Sequence, residues 1–319
     1  MSTATTTQLL PPPGSRGPDI AFKWVAAFAA AMIVILIVLV GYELYAGCRL
    51  SMSKFGAGFL WSSEWDPVQD KYGALPFIFG TLVSSLLALL IAVPLGVATA
   101  LFLTELAPQR IRQPIVMAIE MLAAVPSVIF GLWGIFILIP WLRDHLFVWL
   151  KHTLGFLPLF QGPIYGVSML AAGIIVAIMI LPIITSISRE ILRSVPNLQR
   201  EAAYALGATR WEVLKIAVLS YARRGLFGAA VLGLGRALGE TMAVTMVIGN
   251  RPVISASLFA PGYTLASVIA NEFAEATTDL YLNSLFELGL VLLIVAILVN
   301  AAAQIMLKSM SGSGPIKVN

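Results

Sequence analysis

"LFGAAVLGLGRALGETMAVTMVIG", residues 226–249, is an apolar run of 24 residues interrupted by two ionisable side chains, Arg236 and Glu240. A helix of that length extends about 36 Å, enough to cross the roughly 30 Å hydrocarbon layer of a bilayer. Arg236 lies ten residues in, about 15 Å along such a helix, and so falls near mid-membrane. At that depth an arginine costs roughly 2.5–3.5 kcal/mol on insertion scales. An exposed i,i+4 ion pair returns only about 0.2–0.5 kcal/mol, and less with Arg first in the pair. A desolvated pair is weak evidence of stabilisation. Stability alone therefore does not explain the two charges. Four residues apart, they share one face of a continuous helix and point either to a solvated path or to each other as a counterion pair that fixes helix register. Gly233, Gly235, Ala237 and Gly239 keep the segment thin, and the Gly235/Gly239 spacing permits close approach of another helix. The spacing predicts a central helix.

Composition supports a membrane setting. Of 319 residues, 59% are apolar and 11% charged, with a mean hydropathy of +0.91. A soluble domain carries about 25% charged residues. The pattern predicts an all-α polytopic membrane protein of about six transmembrane helices, at about 22–46, 75–103, 114–140, 165–187, 226–249 and 284–307. No room remains for a large soluble domain. Residues 1–19, rich in Thr, Pro and Gly, read as a disordered tail. Residues 20–71 hold a first helix, too long for a signal peptide, and an outer interfacial segment; 72–308 form the main transmembrane unit, and 309–319 a second tail. With the N-terminus inside, thirteen Lys and Arg fall in inner segments and six in outer ones, Arg49, Lys54, Lys71, Arg143, Lys151 and Arg251. That imbalance places both termini in the cytoplasm.

Other features are read more plainly. Cys48, the single cysteine, allows neither an internal disulfide nor a Cys-x-x-Cys metal site, and is expected at the interface. Phe59, Trp61, Trp65 and Tyr72 suit a headgroup-level anchor. Glu120 and Glu287 are expected to snorkel or cap, and Asn271, Glu272 and Glu275 to be solvated or to face a partner. His145 and His152 fall in an outer loop, and no zinc-protease or nucleophile motif is present. "GLGRALGE" lacks the Gly-Lys-Ser/Thr ending of a phosphate-binding loop, so nucleotide binding is not expected on this chain.

The longest inner loop, 188–225, reads "SREILRSVPNLQREAAYALGATRWEVLKIAVLSYARRG". Pro196 suits a helix start, Gly207 a left-handed helix end, and Thr209 with Glu212 a capping box opening a second short helix. Two helices meeting at a glycine make a rigid protrusion. Seven basic residues would also suit a DNA-reading helix-turn-helix, but the flanking spans tie the unit to a membrane.

"EAAYALGATRWEVLKIAVLS", with Glu201, Ala202, Ala203 and Gly207, resembles the EAA coupling loop with which ABC-importer permeases dock on their ATPase; Ser220 stands where that pattern has a proline. "FLWSSEWDP" (59–67), "YGALPFIFGTLVSS" (72–85), "AVPLGVATALFLTELAP" (92–108), "EMLAAVPSVIFGLWG" (120–134), "GLGRALGETMAVTMVIGN" (233–250) and "IANEFAEA" (269–276) are similar to the phosphate-specific permeases of that group. The resemblance implies a MetI-like ABC importer permease fold with Arg236 and Glu240 on the substrate path. It implies as partners a homologous second permease subunit (PstA-like), an ATPase dimer (PstB-like) holding ATP and Mg, and a phosphate-binding protein (PstS-like). No cofactor is expected on the chain itself, and it is read as a transport subunit rather than an enzyme. Permeases for molybdate or sulfate remain the competing reading, with an ATP-independent anion channel behind them.

Overall fold

The computed structural model of the chain describes residues 16–309, with side chains from residue 20. The expected tails, 1–19 and 309–319, lie almost wholly outside the described residues, although the first helix already includes Arg16. Twelve helices organise the described chain, running α1 (Arg16–Gly47), α2 (Arg49–Phe55), α3 (Gly58–Trp61), α4 (Leu75–Leu106), α5 (Gln109–Ala123), α6 (Ser127–Leu154), α7 (Met169–Arg193), α8 (Asn197–Ala205), α9 (Arg210–Leu238), α10 (Met242–Val247), α11 (Leu265–Glu272) and α12 (Asp279–Ser309). Six of them, α1, α4, α6, α7, α9 and α12, are long and apolar enough to cross a membrane. The fold is all-α and polytopic, as the hydropathy implies.

The centre is the parallel pair α4 and α7, whose residue numbers rise together along the seam. Small residues let it close: a Cβ on Gly173 would meet Leu87, and one on Gly96 would meet Ile184. Ala88, Ala92, Ala172, Ile175, Val176 and Ile180 fill the seam. α7 starts sharply because the Ser168 side chain accepts the Ala171 N–H, satisfying an otherwise orphaned donor at the helix start. α9 lies along α7, with Gly225 against Ile191 and Gly233 against Ile184. By that register Arg236 comes level with the middle of α7. The long first helix sits at the edge: its apolar residues are exposed along most of its length, and it touches α12 through Gly41 near Leu293 and Leu44 near Gly289.

Two spans are discontinuous where the sequence suggested continuity. The expected helix at 114–140 is divided by Ala124–Pro126, since proline at 126 cannot donate to the ladder and opens α6 from an extended backbone. Its halves still run together beside α7, with Glu120 paired to Arg189 near one end of α7 and Gly134 packed on Ile175 near the other. α6 then continues to Leu154, past the expected end at 140, so His145 and His152 are helical rather than in a loop. The expected helix at 226–249 breaks after Leu238; Gly239–Thr241 separates α9 from α10. At the other end, α9 begins at Arg210 rather than near 226. The second short helix of the inner loop and the fifth span are thus one 29-residue helix.

The outer segment corrects another expectation. Phe59 and Tyr72 are fully buried and Trp65 half-buried, in a cluster with Phe77, Tyr263 and Tyr281; Trp65 meets Tyr72 and Phe77 edge-on at 5.0 and 4.9 Å between centroids. Of the four aromatics expected at the headgroup level, only Trp61 is fully exposed. Glu272 fastens this cap by accepting hydrogen bonds from Trp65 Nε1 at 2.8 Å and the Tyr281 hydroxyl at 2.6 Å, so it is neither simply solvated nor free for a partner. Cys48, just past the end of α1, is buried, with its thiol donating to the Tyr45 carbonyl.

The cap joins the bundle where Gly80 of α4 meets the backbone carbonyl of Tyr263, leaving no space for a Cβ. Gly80→Ala is expected to cost about 1–3 kcal/mol, as overpacking against an immobile neighbour does. Gly228→Ala, where nothing lies within 4 Å, is expected to leave the melting temperature unchanged. Thermal unfolding of both variants in one detergent checks the contrast.

Candidate translocation site and coupling surface

Arg236 is in the last turn of α9, and its side chain is 52% exposed; that of Glu240, just beyond the helix end, is 3% exposed. Their closest approach, Arg236 Nη2 to Glu240 Oε2, is 3.5 Å. The two charges meet, although not as an i,i+4 pair on one continuous helix. The chain turns at Gly239, and the Glu240 carboxylate swings back to Arg236 while its other oxygen, Oε1, accepts the Ala243 N–H at 3.4 Å. Glu240 therefore has two tasks. It neutralises Arg236 from the protein side, and it satisfies an orphan donor at the start of α10. The break is closed further by Glu240 N–H donating to the Ala237 carbonyl and Thr241 Oγ1 to the Gly239 carbonyl.

The guanidinium faces outward from the bundle. Tyr221, Leu232, Gly235, Arg236, Gly239 and Met242 form an exposed stripe at helical spacing. Gly235 has no heavy atom nearer to a would-be Cβ than Asn300 Oδ1 at 3.8 Å, and Gly239 has only the Gly235 carbonyl at 3.8 Å. Within this chain, close helix packing is provided by Gly225 and Gly233 instead; the Gly235/Gly239 face is open. The structure thus brings Arg236, on an uncovered face, together with the buried Glu240 behind it, level with the middle of α7.

The segment 196–212 has the local geometry its sequence implies. α8 follows Pro196, whose extended backbone precedes the first helical residue. Gly207 has φ +82°, a left-handed value that glycine adopts without Cβ strain. Thr209 and Glu212 form the reciprocal capping box at the start of α9. Glu201 and Gly207 are exposed and Ala203 half-buried, on a protruding turn with open space around Gly207.

A contact the sequence reading missed anchors this turn. Arg200 on α8 bonds Glu105 at the end of α4 at 2.8 Å, and also donates to the carbonyls of Leu192 and Val195 and to Asn197 Oδ1. Glu105 and Arg200 are 95 positions apart, and nothing local marks them as partners; the only signal was an acidic residue at a span end opposite a basic loop. Glu120 keeps its side chain more than half exposed and faces Arg189 at 3.3 Å, and Glu287, expected to snorkel or cap, is instead buried at 6% exposure in the first half of α12.

Residues 92–312 match the family model described as binding-protein-dependent transport system inner membrane component. The chain belongs to this family. Among inner membrane components of that kind, it is 48% identical to the phosphate transport system permease protein PstC of Mesorhizobium japonicum over 293 residues, covering 91% of this chain and 90% of the relative. It is 47% identical to the PstC of Xylella fastidiosa, with 92% and 91% covered. Even the probable PstC of Methanocaldococcus jannaschii is 37% identical over 285 residues, covering 88% and 90%. Among solved structures, a bacterial ABC transporter involved in import of the acidic polysaccharide alginate aligns with TM-score 0.55 at 17% identity, over 92% of this chain and 98% of that one. The inward-facing MetNI methionine ABC transporter aligns with TM-score 0.51 at 18% identity, over 75% and 94%. At such identities these two speak for the fold alone, which is the permease fold of ABC transporters.

Arg200→Ala removes the three hydrogen bonds, to Glu105, Leu192 and Val195, that its side chain makes from α8 to the bundle. Loss of hydrogen bonds to a charged group is expected to lower the local stability of residues 197–205 by about 1.5–3 kcal/mol. Hydrogen exchange should quicken by roughly tenfold or more there while α4 and α7 keep wild-type protection.

Proposed function

We propose that this chain is the membrane-spanning permease subunit of an ATP-driven importer of inorganic phosphate, forming half of the translocation path. The observation that carries the reading is Arg236: a half-exposed guanidinium at mid-depth on an open helix face, in a chain 45–48% identical over about nine tenths of its length to five proteins named as phosphate transport permeases. The open face of α9, with Gly235 and Gly239, is where a homologous PstA-like permease packs, bringing a second cation opposite Arg236. One arginine, already paired with Glu240, does not balance a phosphate dianion, so further positive charge from the facing subunit is expected.

Arg236 offers a planar fork of N–H donors to two phosphate oxygens as the ion sheds water, a geometry that a lysine does not match. Glu240 is a positioning residue, holding the guanidinium toward the path when no anion is bound. Glu201, Ala202, Ala203 and Gly207 form the surface that docks on a PstB-like ATPase dimer, which binds ATP and Mg; a PstS-like phosphate-binding protein delivers the ion from outside. The excess of inner-segment Lys and Arg sets the orientation, with both termini in the cytoplasm and the chain in the cell inner membrane. Because α9 runs unbroken from the capping box at Thr209 to Arg236, a shift of the docking turn is carried along about 40 Å of one helix to the substrate face.

Radiolabelled oxyanion uptake in vesicles containing this chain with its three partners tests the function. ATP-dependent phosphate uptake, with molybdate and sulfate transported at least tenfold less efficiently, is expected; preferential molybdate or sulfate uptake would reassign the substrate, and uptake without ATP would mark a channel. Glu240→Gln is expected to lower apparent phosphate affinity by about tenfold, about 1.4 kcal/mol, while ATPase activity persists. Unchanged phosphate affinity in that variant would confine Glu240 to capping α10.

A further inference from the structure

A second basic site lies away from Arg236, at the end of the bundle that carries the coupling turn. α5 and α7 enclose a recess of about 280 Å³ lined by Gln109, Arg112, Gln113, Arg189 and Arg193. At about 30 Å³ per water, that volume accommodates a tetrahedral oxyanion with part of its hydration shell.

The polar groups there are unevenly matched. Arg112 donates through Nη2 to the carbonyls of Thr104 and Ala107, both at 3.2 Å, and among the described residues no carboxylate pairs with it. Arg189 faces Glu120 at 3.3 Å and Glu190 at 3.6 Å, and Arg193 shares that same Glu190 at 3.7 Å. Both glutamates are more than half exposed, so solvent screens them. Three guanidinium groups, each with five N–H donors, thus line the recess, two of them sharing two loosely held carboxylates and Arg112 meeting only backbone carbonyls. Nε of Arg112 and of Arg189 is buried without any hydrogen-bond partner. Complementing the C-terminal end of α7 accounts for Arg189 and Arg193. It does not account for Arg112, which arrives from a different helix and leans into the same recess beside two glutamine amides.

We propose that this recess is a binding site for a phosphate-class anion, separate from the translocation path. The ligand chemistry is a tetrahedral oxyanion with several acceptor oxygens, met by forks from two helices. Two sources share that chemistry: free inorganic phosphate on the coupling-turn side, and the phosphodiester headgroup of an anionic lipid at the end of the hydrophobic zone. Arg193 ends α7 four residues before α8 starts, so an occupied recess fixes the root of the coupling turn. The site does not depend on which ion the path carries.

The test uses the full chain, purified with the subunits it assembles with, in nanodiscs, comparing wild type with Arg193→Gln, where Arg193 is half exposed and pairs with the exposed Glu190. In neutral phosphatidylcholine discs, equilibrium binding of ³²P-phosphate is measured without a binding protein. In discs with added phosphatidylglycerol, native mass spectrometry counts retained anionic lipids. Loss of one phosphate equivalent, or at least roughly tenfold weaker binding of it, identifies free phosphate as the ligand; loss of one retained phosphatidylglycerol with unchanged phosphate binding identifies the headgroup. Arg112→Lys, which keeps the charge and removes the fork, is expected to reproduce part of the same loss. Identical anion binding by wild type and Arg193→Gln in both arms overturns the site, as does a change confined to co-purification of another subunit, which would make the recess a protein contact.

Discussion

Inside a bilayer no water is present to satisfy a free backbone group, and that constraint governs the point on which this fold turns, the break between α9 and α10. At Gly239–Thr241 the helix ladder stops level with the middle of α7. The break persists because its groups find partners within a few residues: Ala237 accepts from Glu240, Gly239 from Thr241, and the Glu240 carboxylate takes the Ala243 N–H. The same carboxylate is the counter-charge of Arg236. One buried side chain thereby closes a helix end and pairs with the half-exposed cation of Arg236. An interrupted span at mid-depth that carries charge is the arrangement by which many transporters form binding sites, and here two spans are interrupted, at Gly239–Thr241 and at Ala124–Pro126.

Around that point the molecule divides into a firm frame and a lever. α4 and α7 meet along their lengths through small residues and Ile, Leu and Val, with the polar contacts inside the seam limited to hydroxyls such as Thr185 bonding its own helix. α9 lies on this frame through the close contacts of Gly225 and Gly233, and its two ends are the capping box at Thr209 and Arg236. Arg200 and Glu105 fasten the turn to the end of α4, so it is tied to the bundle rather than left as a free loop.

Much of this was legible in the sequence. Long apolar runs fixed the number and rough position of the spans because lipid demands about 20 apolar residues for each crossing. Gly207, Thr209 and Glu212 were readable because their geometry is set by neighbours three or four positions away. The helix breaks were not. Gly239 belongs to an apolar run whose periodicity continues through it, and glycine within a span equally signals packing; only the carboxylate turning back to Ala243 marks the new start. The length of α9 escaped for the opposite reason, since Lys215, Arg223 and Arg224 read as loop although they lie on a helix that projects beyond the apolar zone. The outer aromatics misled because Trp and Tyr suit both headgroups and a packed cap, and what decides between them is Glu272, some 200 positions from Trp65. Long-range pairs such as Glu105 with Arg200 leave no local trace at all.

The most direct measurement is phosphate uptake alongside ATP hydrolysis in vesicles carrying the assembled transporter with Arg236→Gln. If Arg236 lines the path, uptake falls by at least tenfold while the subunits still assemble and ATP is still hydrolysed. Undiminished uptake in that variant would contradict the account and return Arg236 and Glu240 to the role of a counterion pair that secures a helix break.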